Sequence, residues 1–554
     1  MLIGEPIMDQ DRLFPTLTAA QIERIAAHGR RRAIVSGETL SEVGDRTIFF
    51  FVVVSGEVQA VRPSSDGDTP IVSLQPGQFS GEGSLLTGRR AIARLRASTD
   101  GEVIQLDREQ LLALIQRDAE LSAILMRAFM LRRAELISRH LGDVVVIGST
   151  HCGSTLRVEE FLERNGHPYD YVDLDRNPDA QDLLDRFHVT VDDVPVLICR
   201  GEVVLRNPSN HAIAECLGFN EAIDRTHVRD VVIVGAGPAG LAAAVYAASE
   251  GLDALVVEAN IPGGQAGTSS RIENYLGFPT GIAGSELTAR AYAQAQKFGA
   301  EILVAAGASQ ITCARHPYAV RMGDGSEVPA RTVIVATGAQ YRRPAIERLN
   351  DFEGAGIYYA ATAMERALCG GEDVAVVGGA NSAGQAAVFL AERCSRVHVL
   401  IRGEALADSM SRYLIRRLDD NPAVVLHTQT EIVALEGNGH LERIHWRDKR
   451  TRKTETKDIR HVFMMTGAVP NTAWLDHCVA LDANGFIKTG ADLTHEDLTA
   501  AGWPLARSPY LLETSRPGVF AVGDVRGGNV KRVASAVGEG SIAVAFVHQV
   551  LQSH

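Results

Sequence analysis

Val231 to Ala248 reads V-V-I-V-G-A-G-P-A-G-L-A-A-A-V-Y-A-A, and Val374 to Ala391 reads V-A-V-V-G-G-A-N-S-A-G-Q-A-A-V-F-L-A. Each run opens as a β-branched apolar strand, turns at glycine and continues as an alanine-rich helix. That pattern predicts a strand–turn–helix unit built for a dinucleotide. The first glycine makes the turn, the second lets a pyrophosphate approach the backbone, and the third position packs helix on strand. The helix N-terminus then attracts the phosphate charge. Both runs are long enough to suggest a bilayer span, but their glycine spacing favours a buried unit.

The copies differ where the ribose should lie. In the first, Gly235, Gly237 and Gly240 frame Pro238 and Ala239, and the next strand ends at Glu258. A carboxylate there accepts hydrogen bonds from an adenosine ribose, so this copy suits FAD or NAD. In the second, the positions are Gly378, Ala380 and Ala383, with Gly379, Asn381 and Ser382 between them. The counterpart of Glu258 is Ile401, and Arg402 follows it. A lost carboxylate beside an arginine favours a 2′-phosphate, hence NADPH over NADH. Ala380 departs from the pattern at the close-approach position. One chain holding two such sites predicts a flavin fed by a nicotinamide. Two further signals agree: Ala336-Thr337-Gly338 ends an apolar strand, and Gly523-Asp524 follows another.

Length and composition set the frame. At about 150 residues per domain, 554 residues imply three or four domains. Hydrophobic residues make up 45% and charged residues 22%, an ordinary globular mix. Lysine plus arginine number 55 against 68 acidic residues, a formal charge of −13. That argues against nucleic-acid or anionic-lipid partners. Cysteines stand at 152, 199, 216, 313, 369, 394 and 478, with no C-x-x-C among them. Such a scatter suggests reduced thiols in a cytoplasmic protein, not a disulfide framework. Met1 to Leu13 lacks the basic start of a signal peptide. No membrane span and no metal site are expected.

From residue 229 onward the chain resembles the low-molecular-weight thioredoxin reductases of the pyridine nucleotide-disulfide oxidoreductases. The motifs that carry this are G-A-G-P-A-G, Gly263-Gly264-Gln265, I-E-N-Y with Asn274, A-T-G-A with Gly338, T-G-A-V-P-N-T, Gly523-Asp524 and Arg532-Val533-Ala534. The resemblance implies that Gly264, Gln265, Asn274, Gly338, Asp524, Arg532, Val533 and Ala534 surround FAD. It also implies that Gly378, Gly379, Asn381, Ser382 and Arg402 meet NADPH. An NADPH domain (351–456) would interrupt an FAD domain (228–350 and 457–554).

One departure is chemical. Where that family has Y-C-A-T-C-D, this chain has Y-Y-A-A-T-A-M-E, with Ala360 and Ala363 in place of both cysteines. A methyl group cannot replace a thiolate nucleophile. Electrons should therefore leave the flavin for another acceptor, a small redox protein or a small oxidant. Cys369 and Cys394, near the second dinucleotide unit, read as buried small apolar residues.

Residues 143–227 resemble a glutaredoxin/thioredoxin fold. Cys152 matches the first active-site cysteine, Thr155 the second, and Val194-Pro195 falls where the family has a cis-proline. Cys152 could act as a monothiol and relay electrons to a disulfide; a degenerate docking domain is the other option. Residues 1–142 alternate short strands with glycine turns and resemble a cyclic nucleotide-binding barrel followed by connector helices. By that resemblance Glu82 would meet a ribose and Arg89 or Arg90 a cyclic phosphate; a ligand-free structural barrel, or a sensor with a slow flavin domain, stays open. The expected architecture is multidomain: an antiparallel β-barrel, an α/β thioredoxin-like fold and a double Rossmann region. A homodimer is expected.

Overall fold

In the computed structural model the described residues are 10–553, without 64–67, 82–83, 139–141, 150–151, 177–189, 191–192, 201–202, 222, 270, 314, 360, 362, 409 and 476. The N-terminal region forms two antiparallel sheets. One orders Arg30–Ile34, Gly101–Leu106 and Phe50–Ser55; the other orders Thr39–Ser41, Arg94–Ala97, Val58–Arg62 and Thr69–Leu74. Strand alternation explains the layering. Phe51 and Val53 face the second sheet with Val58, Leu74 and Ala97. Phe50 and Val52 face outward, onto helices Ala19–Ala26, Arg108–Arg117 and Ala119–Ser138. The connector helices therefore close one face of the sheets, through Leu111, Leu114, Ile115, Leu125 and Phe129.

The next region is a four-stranded sheet in the order Val203–Arg206, Val196–Cys199, Val144–Gly148, Asp170–Asp173. Only the last pairing is parallel. Helices Gly153–Arg164 and Asn210–Leu217 pack on it, and the Val194–Pro195 bond is cis, as the resemblance implied.

The two dinucleotide units form as read. In the first sheet, Glu301–Leu303, Ala254–Val257, Arg229–Val234, Glu327–Val335 and Val519–Ala521 run parallel. In the second, Ile357–Tyr358, His461–Met464, Asp373–Val377, Arg396–Leu400 and Val424–His427 run parallel. Strands buried on both faces explain the unbroken apolar runs. His461–Met464 pairs inside the second sheet, so the boundary expected at 456 falls one strand early. The polar stretch before it, Thr454–Lys457, belongs to an antiparallel meander with Thr430–Gly437 and Leu441–Asp448. The two sheets communicate through one ribbon, Ala339–Tyr341 paired antiparallel with Ala468–Pro470.

Helix Val533–Gln552 is long and apolar enough to cross a membrane by composition. It packs instead against helix Pro238–Ser249. A Cβ at Gly540 would lie 2.2 Å from the Ala239 carbonyl, so the two helices cross at backbone distance.

The cysteines need one correction. Cys313 is disulfide-bonded to Cys478, 165 residues away. The expectation that all thiols are free does not hold, because spacing motifs detect only local pairs and folding the split domain unites these two. Cys369 and Cys394 are buried with their sulfurs 3.4 Å apart, in keeping with their reading as core residues.

Candidate functional site: two dinucleotide turns and the domains around them

Each turn is shaped by what a side chain would strike. Gly235 has φ +109°, and a Cβ there would meet the Ala336 carbonyl at 2.3 Å. At Gly240 a Cβ would meet the Gly235 carbonyl at 1.8 Å. Gly237 is different: only Gly264, at 3.9 Å, lies near its missing side chain. That open approach is what a pyrophosphate needs. Pro238 starts the helix, and Ala239 is buried behind it. In the second copy Gly378 makes the same turn at φ +145°, against the Met465 carbonyl. Ala380 is the N-cap, and helix Asn381–Leu390 follows. The Asn381 Oδ1 accepts from the Ser411 amide at 2.7 Å, which ties the turn to the next loop.

The residues at the two matching strand ends differ in character. Glu258 is partly buried and accepts hydrogen bonds from the amides of Ala236 (2.7 Å) and Asn260 (2.9 Å). Burial raises its pKa; those amides and the Arg164 charge pull the other way. Ile401 stands at the matching strand end, 3% exposed in an apolar cluster. Arg402 beside it is exposed, with no ion pair among the described residues.

The remaining first-site residues converge. Gln265 donates to the Ala339 carbonyl. The Gly338 turn is laced to the T-G-A-V-P-N-T stretch: Asn471 donates to Thr337 O at 2.8 Å, and Thr337 Oγ1 donates to Asn471 O at 2.8 Å. Asp524 is half-buried, and burial pushes its carboxyl above the ordinary value. Asn529 has both side-chain polar atoms buried without a hydrogen-bond partner. An orphaned amide and a half-buried carboxylate before the uncapped N-terminus of helix Val533–Gln552 suit the hydroxyls and polar ring atoms of a flavin nucleotide. Arg532 is that helix's N-cap residue; Val533 and Ala534 begin it. Asn529 was missed in the sequence, where nothing but its place between Asp524 and Arg532 pointed to it. Asn274 lines a cleft of about 420 Å³ with Arg271, Glu273, Pro279, Thr280, Gly281 and Tyr413. An Arg417–Glu273 ion pair of 2.8 Å spans that cleft between the two sheets' domains.

The profile of the pyridine nucleotide-disulphide oxidoreductase family matches residues 229–540. The chain belongs to that family. Relatives include the thioredoxin reductase of Ureaplasma parvum, 31% identical over 323 residues, covering 58% of this chain and 96% of the relative. That of Bacillus subtilis is 30% identical over 325 residues, covering 59% and 95%. Among solved structures, T. acidophilum thioredoxin reductase is 27% identical with TM-score 0.52, covering 59% of this chain and 99% of the other. The Lactococcus lactis enzyme is 25% identical with TM-score 0.52, covering 59% and 100%. A cyclic nucleotide-binding domain profile matches residues 31–118, and a glutaredoxin profile matches 144–204.

Around this oxidoreductase the added domains bring few free groups. Ala363 begins helix Ala363–Leu368, and Ala360 lies outside the described residues. Cys152 is a partly exposed free cysteine at the N-cap of helix Gly153–Arg164. That helix start lies against the second sheet's domain: a Cβ on Gly153 would sit 3.4 Å from Gly354 O. Glu82 lies outside the described residues. Arg89 is buried and points out of the sheets: it donates to Asn165 O (2.8 Å) and Tyr292 Oη (2.9 Å), and stacks on Phe219. Arg90 pairs with Glu221. Both guanidiniums reach other domains, a destination that their sequence neighbourhood did not reveal.

Proposed function

We propose that this chain is an FAD-dependent NADPH oxidoreductase whose electrons leave for an acceptor other than a relay dithiol in its own NADPH domain. The observation that carries this reading is the pair of matching turns with opposed ribose ends, Glu258 in one and Ile401–Arg402 in the other. When bound, the two cofactors supply hydride transfer between nicotinamide and flavin. The chain's own groups do the rest. Pyrophosphates approach over Gly237 and Ala380, where the N-termini of helices Pro238–Ser249 and Asn381–Leu390 attract their charge. Glu258 accepts from a ribose hydroxyl, and Arg402 pairs with a 2′-phosphate. Asp524 and Asn529 orient the flavin side chain. The open N-terminus of helix Val533–Gln552 favours negative charge on the flavin ring. The ribbon joining the two domains lets the nicotinamide side turn toward the flavin. With Ala360 and Ala363 at the relay positions, the acceptor is a small redox protein or a small oxidant. We also propose that it works in the cytoplasm as a homodimer.

Anaerobic titration tests this: NADPH should bleach the bound flavin with one equivalent, and yellow enzyme left unbleached would refute it. A screen with disulfides, quinones, oxygen, ferredoxin and flavodoxin then names the acceptor.

A second reading is favoured by one contact. Cys152 opens a helix that abuts Gly354, six residues before Ala360 in sequence, and cis-Pro195 accompanies it. In this reading the Cys152 thiolate attacks one sulfur of a disulfide and the other sulfur leaves as thiolate. A small-molecule thiol from solution then attacks the substrate sulfur of the mixed disulfide and releases the Cys152 thiolate, since Thr155 cannot resolve it. Cys152→Ser should abolish turnover of a disulfide substrate; unchanged turnover excludes the relay.

A further inference from the structure

Helix Gly153–Arg164 ends on the flavin-side domain. Arg164 is largely buried, its side chain 10% exposed. Its Nη2 donates to the carbonyls of Pro262 (2.9 Å) and Gly264 (3.0 Å), and its Nη1 to Glu160 at 2.8 Å. The acceptors belong to the glycine loop that follows Glu258. That loop is pinned to the first dinucleotide turn: the Gly263 amide donates to Ala236 O at 2.7 Å, and a Cβ on Gly264 would lie 3.0 Å from Gly237.

The loop's composition matches the guanidinium. A Cβ on Gly267 would lie 2.6 Å from Arg164 Nη2, and one on Gly263 would lie 3.1 Å from it. Glycine at both places gives the guanidinium a flat seat on backbone. The charge also acts on Glu258, which is partly buried and otherwise held by amides. Just beyond, Asn165 takes the Arg89 hydrogen bond from the N-terminal sheets. One helix end thus gathers three domains against the flavin loop.

We propose that Arg164, though it lies in the glutaredoxin-like domain, is a positioning residue of the flavin site: it fixes the Pro262–Gly267 loop beside the pyrophosphate turn. The proposal rests on that loop holding FAD. Charged hydrogen bonds to two carbonyls are enough to matter, since a hydrogen bond from an ionised donor is stronger than one between neutral groups. A guanidinium also offers the planar fork that a lysine lacks.

The test uses the full chain. Arg164→Met keeps the length and removes the donors. It should weaken FAD binding by roughly tenfold or more, alter the visible absorption of the bound flavin and shift its midpoint potential. Arg164→Lys should recover part of each. Gly267→Ala, which crowds the guanidinium from the other side, should act like Arg164→Met. Arg157→Met on the same helix should leave FAD binding and the flavin spectrum alone, because among the described residues Arg157 bonds to Pro208 and Asn210, both within its own domain. Wild-type FAD affinity and spectrum in both Arg164→Met and Gly267→Ala would overturn the proposal. A wild-type chain that takes up no FAD would overturn the reading of the loop itself, and the proposal with it.

Discussion

Removing the Arg402 guanidinium should change which nicotinamide the enzyme uses, not how fast it reacts. Arg402 sits just past the end of strand Arg396–Leu400, beside buried Ile401. It is exposed, so water competes for it, and the lower end of the range for charged hydrogen bonds applies, about 1.5 kcal/mol. That is roughly a tenfold rise in KM for NADPH at unchanged kcat, the signature of lost uniform binding. The KM for NADH should stay within about twofold, because NADH lacks the 2′-phosphate that the arginine is proposed to pair with. The reciprocal change, Ile401→Glu, puts a carboxylate where Glu258 stands in the first copy. It repels a 2′-phosphate and accepts from a free ribose hydroxyl, so the double variant should prefer NADH. Steady-state kinetics with both nucleotides, at fixed acceptor, measure the ratio. Equal rises in KM for NADPH and NADH, or no change for NADPH, would refute the assignment of the second ribose site.

Three further outcomes follow from other parts of the molecule. Glu159, crowded by burial and by Glu163, has its carboxyl pushed up to about 7; folding therefore favours its protonated form, and stability is lost as pH rises from about 4.5 through 7. Glu159→Gln should raise the melting temperature at pH 8 and leave it nearly unchanged at pH 4; an equal effect at both pH values contradicts the burial argument. Cutting the Cys313–Cys478 bond by a double serine substitution should cost about 2–4 kcal/mol, read as a drop of about 5 °C or more in the flavin domain's unfolding; an unchanged melt means the bond constrains nothing. Glu221→Gln releases Arg90 and should tighten cyclic-nucleotide binding about fivefold in calorimetry if Arg90 meets the cyclic phosphate; equal affinity removes Arg90 from that role.

Sequence patterns revealed what depends on neighbours along the chain. The turns at Gly235 and Gly378, the helix starts after them and the contrast of Glu258 with Ile401 all lie within single strand–turn–helix units, where backbone sterics decide the outcome. The cis-proline belongs to the same class. What sequence could not reveal depends on distant partners. Arg89 looked like a phosphate ligand because its neighbours follow that pattern, yet its guanidinium stacks on Phe219 and reaches Tyr292, 203 residues away. The Cys313–Cys478 pair, the strand His461–Met464 and the Arg164 contact share that cause. Each is decided by segments far apart in the chain, brought together by the return of a split domain or the docking of a separate one, and such long-range contacts leave no periodicity in the chain.

The ribbon of Ala339–Tyr341 and Ala468–Pro470 has a consequence for how such a chain can be assembled. Its two strands are adjacent, so the nicotinamide domain enters and leaves the flavin domain at points one strand spacing apart, about 4.8 Å. A segment whose ends meet this closely can be cut out and the gap closed by a short turn. Deleting residues 344–465 in favour of a two-residue turn should leave a flavin domain able to fold as a unit. By the same geometry, a foreign domain with adjacent termini could be grafted at that gap, which makes the electron donor of this enzyme an exchangeable cassette.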